Sequence, residues 1–426
     1  MKLGPLIPPV IALALEGIWI AKQHQSISVL EDASAALQKQ LAAARSSSPD
    51  TDPASAKSTA ETQATKNQKP FDWKKAGAQL AESDRNDGMG DLRAVLPLKQ
   101  RIQAMSQAEL IAALDEVATL DLPADSVANL EQALLEALIV KDPELALTRF
   151  IDRIDVTLRG SPGMLAKFQF NNTFKDCATK DPAKAAAWFD QQIATGKLDS
   201  KALDGKSRLR DQFEGALIGV LLGTAPDTAS HRLGAIPADQ RVQFLYRNLV
   251  GNLNQEIFPG FATLIREQVP EKQQIGLFAY KAYLLGRRES YAEVTAFMDG
   301  IAATPAERVA CVERAADSKI RTIADGRKIT REDLDTLREW TTRQAPDSTG
   351  LITGKALADA MQNGSKLDYA AASELALYYH QASGNDDVLI SFLDRVSDRE
   401  KTEQARALAA NIIDATRREE ILKKLQ

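Results

Sequence analysis

From residue 71 to residue 426, apolar residues recur three and four positions apart, as on the buried face of an amphipathic helix. Ser106 and Glu109 match a capping box ahead of the segment LIAALDEVATL. Further helix starts are predicted where a capping side chain precedes proline, at Asp142–Pro143, Ser161–Pro162, Asp181–Pro182 and Thr304–Pro305. Helix ends are predicted at Gly196, Gly326 and Gly384. Because no segment alternates strictly between apolar and polar residues, the pattern predicts an all-α region of about sixteen to eighteen helices.

Two of these helix starts belong to an internal repeat. The segments KDPELALTRFIDRI, from Lys141, and KDPAKAAAWFDQQI, from Lys180, share the pattern K-D-P-x-x-A-x-x-x-F-x-x-x-I at an offset of 39 residues. Fainter copies begin at Pro226 and Pro259, so the spacing drifts between 33 and 44 residues. The small residue allows a neighbouring helix to approach, and the Phe and Ile continue one buried face. Periods of this length, built from paired helices, are typical of α-solenoids.

The first 22 residues predict a membrane segment. Residues 3–21 carry a single charge, Glu16, and their length is close to that needed to cross a bilayer. No small-x-small cleavage site follows the apolar core, and Trp19 suits a membrane interface. We therefore expect an uncleaved signal-anchor; the alternatives are a cleaved signal, which would leave the chain secreted, and a soluble amphipathic helix. The weak charge bias favours a cytoplasmic N-terminus and an extracytoplasmic or periplasmic remainder.

Two further segments separate this anchor from the helical region. In residues 23–44 apolar residues continue at heptad spacing, with Gln23 and Ser34 in the seam. The pattern predicts a short coiled-coil stalk, in which residues 20–44 either associate weakly with a second copy or only extend the anchor. Residues 45–70 contain no Val, Ile, Leu, Met, Cys or aromatic residue, so they cannot bury enough apolar surface to fold. They predict a disordered tether.

Composition narrows the chemistry that the helical region can carry. Two cysteines exclude a disulfide framework or a Cys-rich metal site, and three histidines leave little material for His-based metal binding. Residues 71–426 hold 46 Lys and Arg against 52 Asp and Glu, which argues against general nucleic-acid binding. Carboxylate groups such as Glu332–Asp333–Asp335 and Asp386–Asp387 lie at predicted helix starts, where we expect them to cap the helices. A role as general acid would require a cleft around the carboxyl group. We expect no catalytic residue, metal or cofactor.

The nearest approach to a nucleotide-binding motif is the segment Gly350-Leu-Ile-Thr-Gly354-Lys355-Ala356. A Walker loop has four residues between its glycines and a Ser or Thr after its lysine, and it follows a strand. Here three residues separate the glycines, Ala356 replaces the hydroxyl residue, and no strand is predicted before the motif. The segment therefore does not predict a phosphate site.

The densest mixture of aromatic and basic residues lies in the segment GLFAYKAYLLGRRESYAEV. Its candidate partner-binding residues are Tyr280, Tyr283, Arg287, Arg288 and Tyr291. Tyr and Arg are common anchors of protein interfaces, and α-solenoids expose such residues on a concave face. The same helical spacing also fits an ordinary core with a solvated edge, so both interpretations stay open at this point.

The Asp-Pro repeat, with its small and aromatic positions, resembles the second helix of a tetratricopeptide unit. Together with the anchor, coiled coil and tether, it makes the chain similar to membrane-anchored bacterial helical-repeat proteins of the tetratricopeptide and HEAT-like kind. The resemblance implies an α-solenoid of degenerate helix pairs over residues 71–426 and implies no activity. We predict a membrane-tethered scaffold that binds a protein or peptide. The alternatives are a hydrolase-type enzyme with a dispersed acidic site and a structural spacer.

Overall fold

Helices occupy most of the residues that the structure, a computed structural model, describes, namely 71–85, 92–154, 160–199, 207–287, 290–362, 367–396 and 403–425. The first ten are α1 (Trp73–Arg85), α2 (Leu92–Ala104), α3 (Gln107–Val117), α4 (Ala124–Lys141), α5 (Pro143–Asp152), α6 (Gly160–Lys180), α7 (Pro182–Ala194), α8 (Arg208–Thr224), α9 (Pro226–Gly234) and α10 (Ala238–Asn248). The next ten are α11 (Phe258–Gln268), α12 (Glu271–Gly286), α13 (Tyr291–Gly300), α14 (Pro305–Gly326), α15 (Arg331–Gln344), α16 (Thr349–Gln362), α17 (Tyr369–Ser383), α18 (Asp387–Val396), α19 (Glu403–Ala409) and α20 (Ala415–Lys424). Short 3₁₀ helices cover Val250–Asn252, Gln255–Ile257 and Pro346–Ser348.

No strand occurs in these ranges, so the all-α prediction is confirmed. The number of helices there exceeds the sixteen to eighteen expected. Short helices such as α9 and α19 contribute too few turns for periodicity to separate them from their neighbours.

The described helices pack in two rows. Each even-numbered helix from α4 to α18 contacts the next even-numbered helix, most extensively where α12 meets α14 and α16 meets α18. The odd-numbered helices lie beside them and are joined to one another by polar contacts. Trp188 Nε1 of α7 donates to Thr148 Oγ1 of α5 at 3.2 Å, and Trp340 Nε1 of α15 donates to Thr295 Oγ1 of α13 at 3.1 Å. Contacts thus run mainly between helices that are adjacent or next but one along the chain.

The Asp-Pro repeat begins two odd-numbered helices, α5 and α7. Asp142 and Asp181 have nearly the same backbone conformation, with φ of −150° and −147° and ψ of 88° and 89°. Each carboxylate accepts a hydrogen bond from the backbone N–H three residues later, so both predicted caps are confirmed. The repeated Ala and Phe positions are buried in both copies, at Ala146, Phe150, Ala185 and Phe189. The fainter copies begin α9 and α11, where Ala229 and Ala262 are also buried.

Most of the other predicted helix starts and ends agree with the structure. Ser106 and Thr304 each form the two reciprocal hydrogen bonds of a capping box. Ser161 was expected to cap α6, but this prediction is wrong because α6 begins at Gly160 and Ser161 lies within the helix.

Glycines end three helices in different ways. Gly196 and Gly384 have left-handed φ angles of 72° and 62°, which a residue with a Cβ atom rarely adopts. Gly326 is the last residue of α14 and has no such angle.

Side-chain caps also begin later odd-numbered helices. The odd-numbered helices α13, α15 and α17 begin after the N-cap residues Ser290, Thr330 and Asp368. Each of these side chains accepts a hydrogen bond from a backbone N–H in the first helical turn. They occupy the N-cap position that Asp142 and Asp181 occupy in α5 and α7, whereas α9 and α11 begin without a side-chain cap.

Glycines let the even-numbered helices approach closely. A Cβ atom on Gly286 of α12 would lie 2.7 Å from the carbonyl oxygen of Ala315 in α14. A Cβ atom on Gly354 of α16 would lie 2.9 Å from the backbone nitrogen of Phe392 in α18. On Gly350 it would lie 3.1 Å from the Cβ atom of Asp387. The glycines that resemble a phosphate loop therefore form a helix-packing surface.

The predictions for residues 1–22, 23–44 and 45–70 fall outside the described residues. Trp73–Gln426 form one compact unit by their contacts. Within the ranges that the structure describes, no helix combines the length and the apolar character that a bilayer-crossing segment requires.

Candidate functional site

The structure divides the predicted partner-binding residues into separate surroundings. Tyr280 and Tyr283 lie one turn apart on α12, and both are half-buried. Tyr291 begins α13 and instead stacks on Trp340 of α15, with ring centroids 4.6 Å apart. Arg287 is exposed just after α12, and Arg288 lies outside the described residues. Among the described members of this set, a ring contact joins Tyr280 to Tyr283.

Tyr246 of α10 extends this aromatic surface to the preceding even-numbered helix. Its ring meets Tyr280 edge to face, with centroids 4.9 Å apart and an interplanar angle of 75°. The rings of Tyr280 and Tyr283 are nearly parallel, with centroids 6.3 Å apart. Burial raises the pKa of the Tyr246 hydroxyl, so this end of the surface is partly shielded from water.

Arg314 of α14 connects the tyrosines to a charged region. Its guanidinium carbon lies 5.2 Å from the centroid of the Tyr283 ring, within the range of a cation–π contact. Arg314 also donates to Asp317 at 3.3 Å, and Arg321 donates to the other oxygen of Asp317 at 2.7 Å. The spacing of these three residues places them on one side of α14.

The charged region continues onto the next two even-numbered helices. Arg395 of α18 donates from Nε and Nη2 to one carboxylate oxygen of Asp359 in α16, at 3.1 and 2.9 Å. Glu313 of α14 pairs with Lys355 of α16 at 2.5 Å. Electrostatic contact therefore runs from α12 through α14 to α16 and α18.

We call this surface the tyrosine–arginine strip. It comprises Tyr246, Tyr280, Tyr283, Arg314, Arg321 and Arg395. Its members lie on four of the five successive even-numbered helices α10 to α18. A ring contact links α10 to α12 and a cation–π contact links α12 to α14, while ion pairs link α14 to α16 and α16 to α18.

Carboxylates and guanidiniums differ in exposure along the strip. The exposed fractions are 50% for the Arg314 side chain, 42% for Arg321 and 45% for Arg395, against 11% for Asp317 and 4% for Asp359. Burial raises the pKa of Asp359, and the hydrogen bonds from Arg395 oppose that rise. The strip therefore presents its cations to solvent and holds their counter-charges beneath them.

A small cavity beside the arginines of the strip is relevant to the alternative that the protein is an enzyme. It measures about 70 Å³ and is lined by carboxylates from α14 and α16 together with Arg314, Lys355 and Arg395. Each of its carboxylates is engaged by a cation: Asp317 and Asp359 by arginines, and Glu313 by Lys355 at 2.5 Å. A general acid or base needs a carboxyl group free to reach substrate, and this arrangement provides an ion-pair network instead.

The cysteines lie in surroundings that do not activate a thiol. Cys311 is fully buried, and burial raises its pKa to about 12. Cys177 is half-buried beside a cavity of about 60 Å³ that Phe174 and Trp188 also line, and burial raises its pKa as well. A reactive cysteine requires a lowered pKa. Among the residues that the structure describes, no three His, Cys, Asp or Glu side chains converge in a metal-binding group.

The predicted acidic caps have two different outcomes. Asp333 accepts from the backbone N–H of Thr330 at 2.8 Å and completes a capping box, as expected. Asp386 accepts instead from the backbone N–H groups of Ile413 and Asp414, at 2.9 and 2.8 Å. Asp386 and Asp387 lie at the start of α18 as predicted, and the Asp386 carboxylate ties the chain before α20 to that helix start.

Buried His380 reinforces the same junction. Its Nδ1 faces the carbonyl oxygen of Asn385 at 3.2 Å, and its Nε2 faces that of Asn411 at 3.1 Å. His380 therefore links α17 to the segment that follows α19.

A second aromatic and basic cluster occurs on odd-numbered helices. The guanidinium carbons of Arg331 and Arg338 in α15 lie 4.1 and 4.5 Å from the ring centroids of Tyr378 and Tyr379 in α17. The Tyr379 hydroxyl also donates to Asp335 at 2.9 Å. These contacts join α15 to α17, and the Tyr291–Trp340 stack joins α13 to α15, whereas the members of the strip lie on four helices.

The sequence indicated two members of the strip and missed four. Tyr246, Arg314, Arg321 and Arg395 lie on three other helices, each in a segment with no unusual local composition. Their common feature is a position on even-numbered helices, which becomes visible only after the helices are paired.

Comparison with known proteins gives no relative: no protein-family model matches the chain, and neither a curated protein nor a solved structure is significantly similar to it.

Proposed function

We propose that the protein is a scaffold or interaction module, in which an α-solenoid of degenerate helix pairs binds a protein or peptide partner along the tyrosine–arginine strip. The observation that carries the proposal is the unbroken series of side-chain contacts that links the strip's helices from α10 to α18, with the Lys355–Glu313 ion pair joining α14 to α16. Tyr and Arg are enriched among residues that dominate binding energy at interfaces. Half-buried rings beside exposed guanidiniums supply such anchors over an extended length.

The solenoid part of the proposal is supported by the two rows of helices. Polar contacts between odd-numbered helices recur from unit to unit, as in the pairs Trp188–Thr148 and Trp340–Thr295. Close backbone approach at Gly286 and Gly354 occurs in the even-numbered row. Stacked helix pairs provide extended surfaces that commonly serve as binding faces. The strip lies along the even-numbered row.

The interaction proposal can be tested by site-specific photocrosslinking in cells that express the full chain. A photoreactive amino acid replaces Tyr283 in the strip or, as a matched control, Tyr378 on the odd-numbered row. We expect a discrete heavier adduct from position 283 and none of the same size from position 378. Equal labelling from both positions, or no adduct from position 283, would favour the structural-spacer alternative.

For the N-terminus we propose a signal-anchor at residues 1–22, with the helical domain on the extracytoplasmic side. Support comes from the apolar stretch at residues 3–21 and the absence of a cleavage motif. Protease added to spheroplasts should degrade the helical domain while the membrane is intact. A protected domain would contradict the orientation, and a mature N-terminus beyond residue 22 would indicate a cleaved signal.

For residues 23–44 we propose a coiled-coil stalk that associates weakly with a second copy, followed by a flexible tether at 45–70. The heptad spacing and the apolar-free composition support these two assignments. A cysteine introduced at Leu30, a seam position, should form a disulfide-linked dimer in membranes, whereas one introduced at Glu31 should do so less. Equal dimer yields from the two positions would indicate that the stalk only extends the anchor and does not form a coiled coil.

A further inference from the structure

We propose that the strip selects an extended acidic peptide, with Asp or Glu side chains at its arginine end and an apolar side chain at its tyrosine end. This inference rests on the proposed function and adds the chemistry of the partner. It follows from the division of the strip into an aromatic part on α10 and α12 and a cationic part on α14 and α18.

Charge complementarity at the arginine end comes from the difference in exposure. Arg314, Arg321 and Arg395 are each close to half exposed, whereas Asp317 and Asp359 are almost covered. An approaching ligand therefore meets these guanidinium groups before Asp317 and Asp359, and the more exposed Glu313 beside them is paired with Lys355. Arginine can bind a carboxylate with two parallel hydrogen bonds. Each guanidinium group carries five N–H donors, and these arginines use only one or two of them to bind their buried Asp partners, so donors are left for a ligand.

The buried carboxylates also prepare the arginines for binding. Each ion pair holds a guanidinium in one place, so that a ligand need not immobilise a freely rotating side chain. The helical region as a whole is acidic, with 46 Lys and Arg against 52 Asp and Glu. A row of exposed arginines on such a molecule gives a local preference for acidic ligands and disfavours basic ones.

The tyrosine end favours an apolar peptide side chain over a nucleic-acid base. Arg314 lies over the ring of Tyr283, and Tyr246 meets Tyr280 edge to face. The rings are therefore engaged by protein groups, whereas stacking of successive bases needs open ring faces. Their partly buried edges still offer apolar surface beside the cationic part.

The experiment begins with the purified full-length chain, which is used to select binders from a displayed library of random peptides. Fluorescence anisotropy then measures the Kd of the selected peptides. Three forms are compared: the native chain, the strip variant Arg314→Gln/Arg321→Gln/Arg395→Gln, and the control Arg331→Gln/Arg338→Gln on the odd-numbered row. We expect selected peptides rich in Asp and Glu, a loss of at least about tenfold in affinity for the strip variant, and little change for the control.

A second measurement covers the risk that the strip variant does not fold, since it leaves Asp317 and Asp359 buried without their arginines. With the native chain alone, affinity for the selected peptide should fall as salt concentration rises. The milder variant Arg395→Lys keeps the charge and should bind more tightly than Arg395→Gln.

The outcomes separate the two proposals. Selected peptides without acidic residues, whose binding depends on Tyr280 and Tyr283 and not on the arginines, would overturn the acidic preference and leave the interaction module intact. Tighter binding of single-stranded oligonucleotides than of any peptide would also overturn it. If no selected peptide is affected by changes at either end of the strip, the proposed function itself fails.

Discussion

The backbone of Gly354 in α16 lies so close to the carbonyl group of Val388 in α18 that a Cβ atom added to the glycine would overlap that oxygen. The Ser391 hydroxyl and the Phe392 backbone nitrogen close the same space. All three belong to the first turns of α18, so a side chain at position 354 would push two helices of the even-numbered row apart.

Gly354→Ala should therefore destabilise the protein by about 1–3 kcal/mol or more, since an extra methyl group in a tightly packed contact forces backbone movement. Chemical denaturation of the full chain measures the change. Gly326→Ala is a matched control, because a Cβ atom there meets nothing within 4 Å. It should be neutral or slightly stabilising. Equal losses at both positions would show that the close approach of α16 and α18 is not what requires the glycine.

The N-cap residues of the repeat provide a second prediction. Asp181 caps α7, whereas Ala225 precedes α9 with a similar backbone conformation, φ −152° and ψ 71°, and no side-chain cap. Asp181→Ala should lower the unfolding free energy by about 1 kcal/mol, and Ala225→Asp should raise it by about 0.5–1 kcal/mol. Thermal unfolding should show shifts of opposite sign. If both variants changed the melting temperature in the same direction, the two helix starts would share a backbone conformation but not the energetic effect of a capping aspartate.

The capping carboxylate of α15 predicts a pH dependence. The ion pair with Arg327 is the main cause that lowers the pKa of Asp333 to about 2. In the unfolded chain an aspartate side chain has a pKa of about 3.9. Because the folded pKa is the lower one, the ionised carboxylate stabilises the fold above about pH 4, and this contribution is lost as the pH falls towards about 2.

Asp333→Asn should therefore lower the free energy of unfolding more at about pH 6 than at about pH 2.5, where the native carboxylate begins to take up its proton. Urea denaturation at the two pH values measures both differences. Arg327→Gln removes the principal partner and should show the same trend. A cost that does not change with pH would assign the role of Asp333 to packing alone.

The two cysteines should differ in reactivity towards a thiol reagent. Cys177 is half-buried, whereas Cys311 is fully buried with a pKa raised to about 12. In the native protein we expect Cys177 to react slowly and Cys311 not at all, because only the accessible thiolate is nucleophilic. Denaturant should release the second thiol. The variant Cys177→Ser should not react without denaturant, and any reaction of this variant in the folded state would show that Cys311 in α14 is accessible to solvent.

The sequence by itself determined the local structure of the helical region. Capping at Asp142 and Asp181, proline in the first turn and the left-handed glycine at Gly384 act within a few residues of each other, so they can be recognised without knowledge of the fold. The all-α class and the repeat followed from these signals. Prolines are absent from the starts of α13 and α15, so the Asp-Pro pattern does not reveal these helix starts, although Ser290 and Thr330 cap them.

Only the tertiary structure decided which side chains share a surface. Tyr246 and Arg395 lie at opposite ends of the strip and far apart in sequence, and their common surface depends on how five helices stack and on the rotation of each about its axis. Tyr280 and Tyr291 are close in sequence, yet they lie in different clusters because a helix boundary separates them. The glycines at 350 and 354 show the same limit: their spacing is local, but their role depends on the neighbouring helix α18, since packing between helices is set by contacts that no short segment contains.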